Sequence, residues 1–127
     1  MASQNETYSV DLPASIQSTE SVAYEAQTSG PIILEHLPEE RLVYYGDSTT
    51  LRVQYGHAKY PVNITWLFHR GYGASPRVLE TQTNMIRGGW TSLNLKNIRK
   101  ERTFEVVIED PFNRRQASSI CTVSVIR

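Results

Sequence analysis

Residues 62–68 read Val62-Asn63-Ile64-Thr65-Trp66-Leu67-Phe68, which puts Val62, Ile64, Trp66 and Phe68 on one side of an extended chain. That two-residue period belongs to a strand with one buried face, not to a helix. Upstream, Thr50-Leu51-Arg52-Val53-Gln54-Tyr55 repeats it, with Leu51, Val53 and Tyr55 turned inward. Downstream, Ser92 to Lys96 turns Leu93 and Leu95 inward, and Phe104, Val106 and Ile108 follow the same rule. The last run aligns Ala117, Ser119, Cys121, Val123 and Val125 on one side.

Weaker segments fill the gaps between these strands. Ile32 to Leu34 reads as a first strand broken by Pro38, and Leu42 to Tyr45 as a short piece ended by Gly46-Asp47. Arg77-Val78-Leu79 and Met85-Ile86 read as two short strands, with Gly88-Gly89 separating the second from the next. Turn-forming clusters recur about every 8–12 residues, the spacing of an all-β sandwich or barrel. No segment has helical periodicity, and no internal repeat is visible.

The chain's 127 residues allow one domain and a short extension, and 39% apolar residues suffice for one core. No stretch approaches the roughly 18 apolar residues of a membrane helix, so membrane insertion is not expected. The opening MASQNETYSVDLP has neither the basic start nor the apolar run of a secretory signal. Residues 1–29 are rich in Ser, Thr, Gln, Glu and Ala, and read as a disordered acidic tail. They hold Glu6, Asp11, Glu20 and Glu25 and no Lys or Arg. Residues 30–127, the expected domain, therefore carry thirteen cations against nine carboxylates, a formal excess of four. This asymmetry reads first as a solvated tail that serves only as a spacer, with an acidic partner for the mildly basic domain, or contact between domain and tail, as the alternatives. A formal net charge of zero argues against a nucleic-acid partner.

Cys121 is the sole cysteine, so no intrachain disulfide can form. A secreted domain of this size and pattern normally carries at least one, which points to the inside of the cell.

The order Leu51-x-Val53, Trp66 thirteen residues later, Leu93-x-Leu95-x-x-Ile98 and Phe104-x-Val106 resembles an immunoglobulin domain. In that family a Leu-x-Cys, a buried Trp, a Leu-x-Ile/Leu and a Tyr-x-Cys stand in these places. Valines at 53 and 106 would replace both cysteines. Pro31, Leu37, Gly46, Gly56 and Pro61 look like the intermediate (I-type) set. The likeness covers about three-quarters of the chain. It departs where Lys100 and Arg102 replace the family's Asp-x-Gly, in a turn about two residues shorter, and where Phe104 replaces the corner tyrosine. A fibronectin type III sandwich is the structural rival, and Trp66 in the third strand argues against it.

The resemblance implies a Greek-key β-sandwich of two antiparallel sheets without the intersheet disulfide, over a core of Leu51, Val53, Trp66, Leu93, Leu95, Phe104, Val106 and Cys121. Disulfide-free domains of this set look most like those of intracellular muscle and cytoskeletal proteins of the titin, twitchin and obscurin type. The role so implied is a non-catalytic docking or spacer module, cytoplasmic and cytoskeleton-associated. Its partners would be cytoskeletal or sarcomeric proteins or neighbouring immunoglobulin domains. The alternative is an extracellular adhesion or receptor domain that lacks the disulfide.

No residue constellation suggests catalysis, a cofactor or a small-molecule substrate. His36, His57 and His69 lack metal-ligand spacing, and Gly71-Tyr72-Gly73 reads as a turn. Cys121 reads as a small buried hydrophobe. Asn63-Ile64-Thr65 and Asn5-Glu6-Thr7 match the N-glycosylation pattern, with Asn63 pointing outward from its strand. For binding, outward apolar residues are informative. Val107 and Ile120 face away from the core on adjacent strands, beside Arg114 and Arg115 at the turn; these four are the candidate interface. The free edge of Ile32 to His36 is a second candidate surface.

Overall fold

A computed structural model describes residues 30–127; the expected tail over 1–29 lies outside the described residues. Eight strands follow one another: β1 (Ile32–Glu35), β2 (Glu40–Tyr44), β3 (Thr49–Gly56), β4 (Val62–His69), β5 (Arg77–Met85), β6 (Gly89–Leu95), β7 (Arg102–Asp110) and β8 (Arg115–Ile126). There is no helix among the described residues, and so none long and apolar enough to cross a membrane. The strands form two sheets, β1-β3-β6 and β2-β8-β7-β4-β5. The fold is an immunoglobulin-like β-sandwich. Pairing is antiparallel throughout except at β2–β8, where the strands run parallel with Glu40 opposite Thr122 and Tyr44 opposite Ile126.

Alternation decides which face of each strand is buried. In β3 and β4, Leu51, Val53, Tyr55, Val62, Ile64 and Trp66 all lie inside, and β7 adds Phe104, Val106 and Ile108. Cys121 and Val123 from β8 close the core. Leu93 is buried, whereas Leu95 is only partly so and packs against the core from the end of β6. Trp66 fills the space between the sheets, and its indole Nε1 donates to Thr91 Oγ1 of β6 at 3.1 Å. Val53 and Val106 are both fully buried, one in each sheet.

Chain crossings are fixed by polar contacts. Between β1 and β2 the backbone switches sheets, and there Ser119 Oγ accepts from Leu37 N at 2.9 Å while His36 Nδ1 lies 3.0 Å from it. Gly46 supplies the φ of 85° that turns β2 into β3. A Cβ at Gly56 would stand 2.9 Å from Leu34 Cδ1, the end of an exposed side chain that can swing aside.

Two expectations for the middle of the chain need correction. Residues 77–85 form one continuous nine-residue strand rather than two fragments, and Ile86 lies beyond it. β5 is an edge strand, largely exposed, so it needs no apolar alternation to hold its place beside β4. Residues 86–88 do separate β5 from β6, but β6 already begins at Gly89, which pairs with Tyr55.

Candidate protein-binding face

The five-stranded sheet has an outer face assembled by register. Along one row Ile120 of β8 stands opposite Glu105 of β7, Glu105 opposite Leu67 of β4, and Leu67 opposite Val78 of β5. The next row is Ser118, Val107, Thr65 and Thr81. Cross-strand spacing makes such a row about 14 Å wide. Ile120 is 50% exposed and Val78 55%, while Leu67 and Val107 are half-buried by their neighbours. Glu105 sits among these apolar groups and is held by His69, whose Nε2 lies 2.8 Å from Glu105 Oε1. Beside it Thr103 and Thr122 hydrogen-bond across β7 and β8 at 3.0 Å. A mixed apolar and hydroxyl-bearing surface around the His69–Glu105 hydrogen bond can form a protein contact.

Val107 and Ile120 thus share a face as diagonal neighbours, each with a polar residue of the other strand directly opposite. Arg114 and Arg115 lie at the β7–β8 turn, Arg115 about 17 Å along the strand from Ile120. Arg114 Nε is 3.3 Å from Glu109 Oε2 and the side chain is largely exposed. Leu67 and Val78 were missed by sequence reasoning. The outward position of Leu67 follows from the alternation of β4, but Val78 needed the register of an edge strand.

The hairpin turn is built on Asp110, which is fully buried. Its Oδ1 accepts from Phe112 N at 2.8 Å and Asn113 N at 3.2 Å, and its Oδ2 from Asn113 Nδ2 at 3.0 Å. Phe112 then meets the Tyr60 ring at 5.1 Å. At the same end the Tyr55 hydroxyl donates to Ile86 O at 2.8 Å, and burial pushes its phenol above the ordinary range.

The remaining candidates fall into place individually. Burial pushes the Cys121 thiol up, with Arg41 opposing, so it stays a neutral thiol in the core. No cluster of His, Cys, Asp or Glu among the described residues could hold a metal ion. Gly71, Tyr72 and Gly73 turn with φ of 80°, 54° and 77°. Asn63 lies on the outer face, opposite Glu109, and its Oδ1 accepts from Asn84 N at 3.2 Å.

No known family's sequence profile matches the chain, and no curated protein matches it. Solved structures do. Murine CRIg superimposes at a TM-score of 0.50 with 15% identity, over 76% of this chain and 98% of that one. One chain of the complex between the Dpr2 domains Ig1-Ig2 and the DIP-Theta domains Ig1-Ig3 gives 0.53 and 14%, over 76% of this chain. A titin fragment, A168169, gives 0.52 and 18%, over 75%. The chain spans 34% of that complex's matched chain and 47% of the titin chain. At such identities the likeness shows the fold alone: the sandwich has an immunoglobulin-like fold.

Proposed function

We propose that this chain is a non-catalytic docking module that binds other proteins through the outer face of its five-stranded sheet. The observation that carries the reading is the row Ile120–Glu105–Leu67–Val78, apolar groups flanking a glutamate that is hydrogen-bonded to His69 on the outer face of the sheet. A similar fold occurs in the complex of Dpr2 with DIP-Theta, which supports protein binding as the use of such a domain. Leu67→Arg together with Ile120→Arg changes only half-buried and exposed positions, so the fold survives. Quantitative proximity labelling in the native cells should then lose a defined set of neighbours that the unmodified chain labels. An identical neighbour set for both would end this reading.

The compartment belongs to the same proposal. The module is intracellular, of the cytoskeletal or muscle kind. Supporting this, valines occupy both buried positions where a secreted relative would place its intersheet disulfide. One observation favours the second reading, an extracellular adhesion or receptor domain: Asn63, with its glycosylation pattern, lies on the outer face. A glycan there would stand on the sheet next to Thr65 and Val107 and obstruct the docking row. Location of the tagged parent protein with a glycosidase shift assay separates the two. A filament-associated pattern without a shift agrees with the first; a surface signal with a shift overturns it.

A further inference from the structure

The end of the sandwich opposite the β7–β8 hairpin opens into a cleft of about 390 Å³. Its floor is apolar: Phe68 of β4, Leu79 of β5, Leu95 of β6, Ile98 and Phe104 of β7. The Phe68 and Phe104 rings stand 6.3 Å apart, tilted by 54°. Its rim is cationic, formed by Lys96, Arg99, Lys100 and Arg102 from the loop at 96–101 and the start of β7. The contacts within 4 Å between a basic group and a carboxylate among the described residues, His69–Glu105 and Arg114–Glu109, involve none of these four. Two of them lie over aromatic rings instead, Arg102 at 4.8 Å from Phe68 and Arg99 at 5.9 Å from Tyr45, where Arg127 joins at 5.1 Å. Glu101 is the one carboxylate in the stretch 96–102. Four cations around an apolar hollow, without a described carboxylate within 4 Å, leave a positive potential focused on a concave site.

We infer that this cleft binds an acidic peptide segment, seating one large apolar side chain on the Phe68–Phe104 floor and flanking carboxylates on Lys96, Arg99, Lys100 and Arg102. The volume lies in the range of pockets that enclose organic side groups. Leu79, at the cleft wall, belongs to β5, the free edge of its sheet, so its main chain offers unpaired hydrogen-bonding groups to an extended peptide alongside. That geometry favours a peptide over a membrane surface, which has no strand to pair. The site is distinct from the docking row and does not rest on it.

The test uses the full 127-residue chain and a short fluorescein-labelled peptide with a central tryptophan flanked by glutamates, read by fluorescence anisotropy. Saturable micromolar binding that weakens with added salt is expected, and none to the same peptide with glutamines for glutamates. Lys96→Glu with Lys100→Glu, both exposed, should weaken binding about tenfold or more without moving the unfolding midpoint. Leu79→Ser should weaken it several-fold, whereas Leu67→Arg with Ile120→Arg leaves it unchanged. Equal affinity of the K96E/K100E chain and the unmodified one, or equal binding of the glutamine peptide, overturns the assignment. Binding to phosphatidylserine vesicles but not to the peptide would also overturn it and give the cleft to a membrane surface.

Discussion

The two ends of the sandwich solve the same problem in opposite ways. At the hairpin end, one buried carboxylate, Asp110, meets three donors of its own turn, and the Tyr55 hydroxyl meets Ile86 O. The buried polar groups there are satisfied internally. At the 96–101 end, Gly46 N donates to Ile98 O at 2.7 Å and Ile98 N to Asp47 O at 2.9 Å, and the Arg127 side chain donates to Arg99 O at 3.4 Å, so main-chain groups anchor the loops. The charged side chains there are mostly cations, and Lys96 and Lys100 are exposed with no described carboxylate within 4 Å. Where the immunoglobulin family places an aspartate and a tyrosine at this corner, Lys100, Arg102 and Phe104 leave a hollow with a positive rim. An end held by its backbone can change its side-chain chemistry without unfolding; one built on a buried carboxylate cannot.

The largest effect should strike both ends together, since they share one core. Trp66→Ala removes the central aromatic and its bond to Thr91, and should cost about 3–5 kcal/mol in chemical denaturation. A loss below about 1 kcal/mol would mean that the ends are held independently. Next comes a crosslink midway between them. Val53→Cys with Val106→Cys, oxidised, should gain about 2–4 kcal/mol, checked by non-reducing electrophoresis and the unfolding midpoint. Only intermolecular dimers would show the two positions to be misaligned across the sheets.

The ends part company at the third prediction. Asp110→Ala leaves the turn's donors without their buried acceptor and should cost about 1–3 kcal/mol. Lys100→Ala, at an exposed residue without a described carboxylate, should change stability by no more than about 0.5 kcal/mol. Similar losses from both would erase the contrast. A pH titration adds to it from the hairpin end and the core. Tyr55 and Cys121 both have raised folded values, so the folded chain keeps their protons longer than the unfolded one. Their stabilisation is fully present below the unfolded values, about 8.5 for thiol and 10 for phenol, and falls as pH rises through the folded ones. Tyr55→Phe should flatten the alkaline part of that fall.

Much of the sandwich was legible because buried faces enforce alternation. Residues 50–55, 62–68, 104–108 and 117–125 each show it, and each lies in a central or well-covered strand. β5 was split in reading because Thr81, Gln82 and Thr83 interrupt its apolar residues. An edge strand is held by its ladder and carries little burial signal. The outer face was half legible: Val107 and Ile120 follow from alternation, but their row needs Val78 of β5. The cleft was not legible as a site, since its floor draws on β4, β5, β6, β7 and the loop between the last two. Only its rim left a trace, four cations within residues 96–102.

The parallel pair β2–β8 has a consequence for how the chain is made. β2 emerges from the ribosome early, yet among the described strands its partner in the sheet is β8, the last of the eight. At about 5–20 residues per second, β2 waits several seconds with its ladder unpaired while everything from β3 to β7 is translated. β8 then completes the β7 edge and captures β2 in one event, so this sheet closes only once Ile126 has left the ribosome. A released chain truncated before Arg115 should remain protease-sensitive at residues 40–44 even though β3, β4, β6 and β7 are all present.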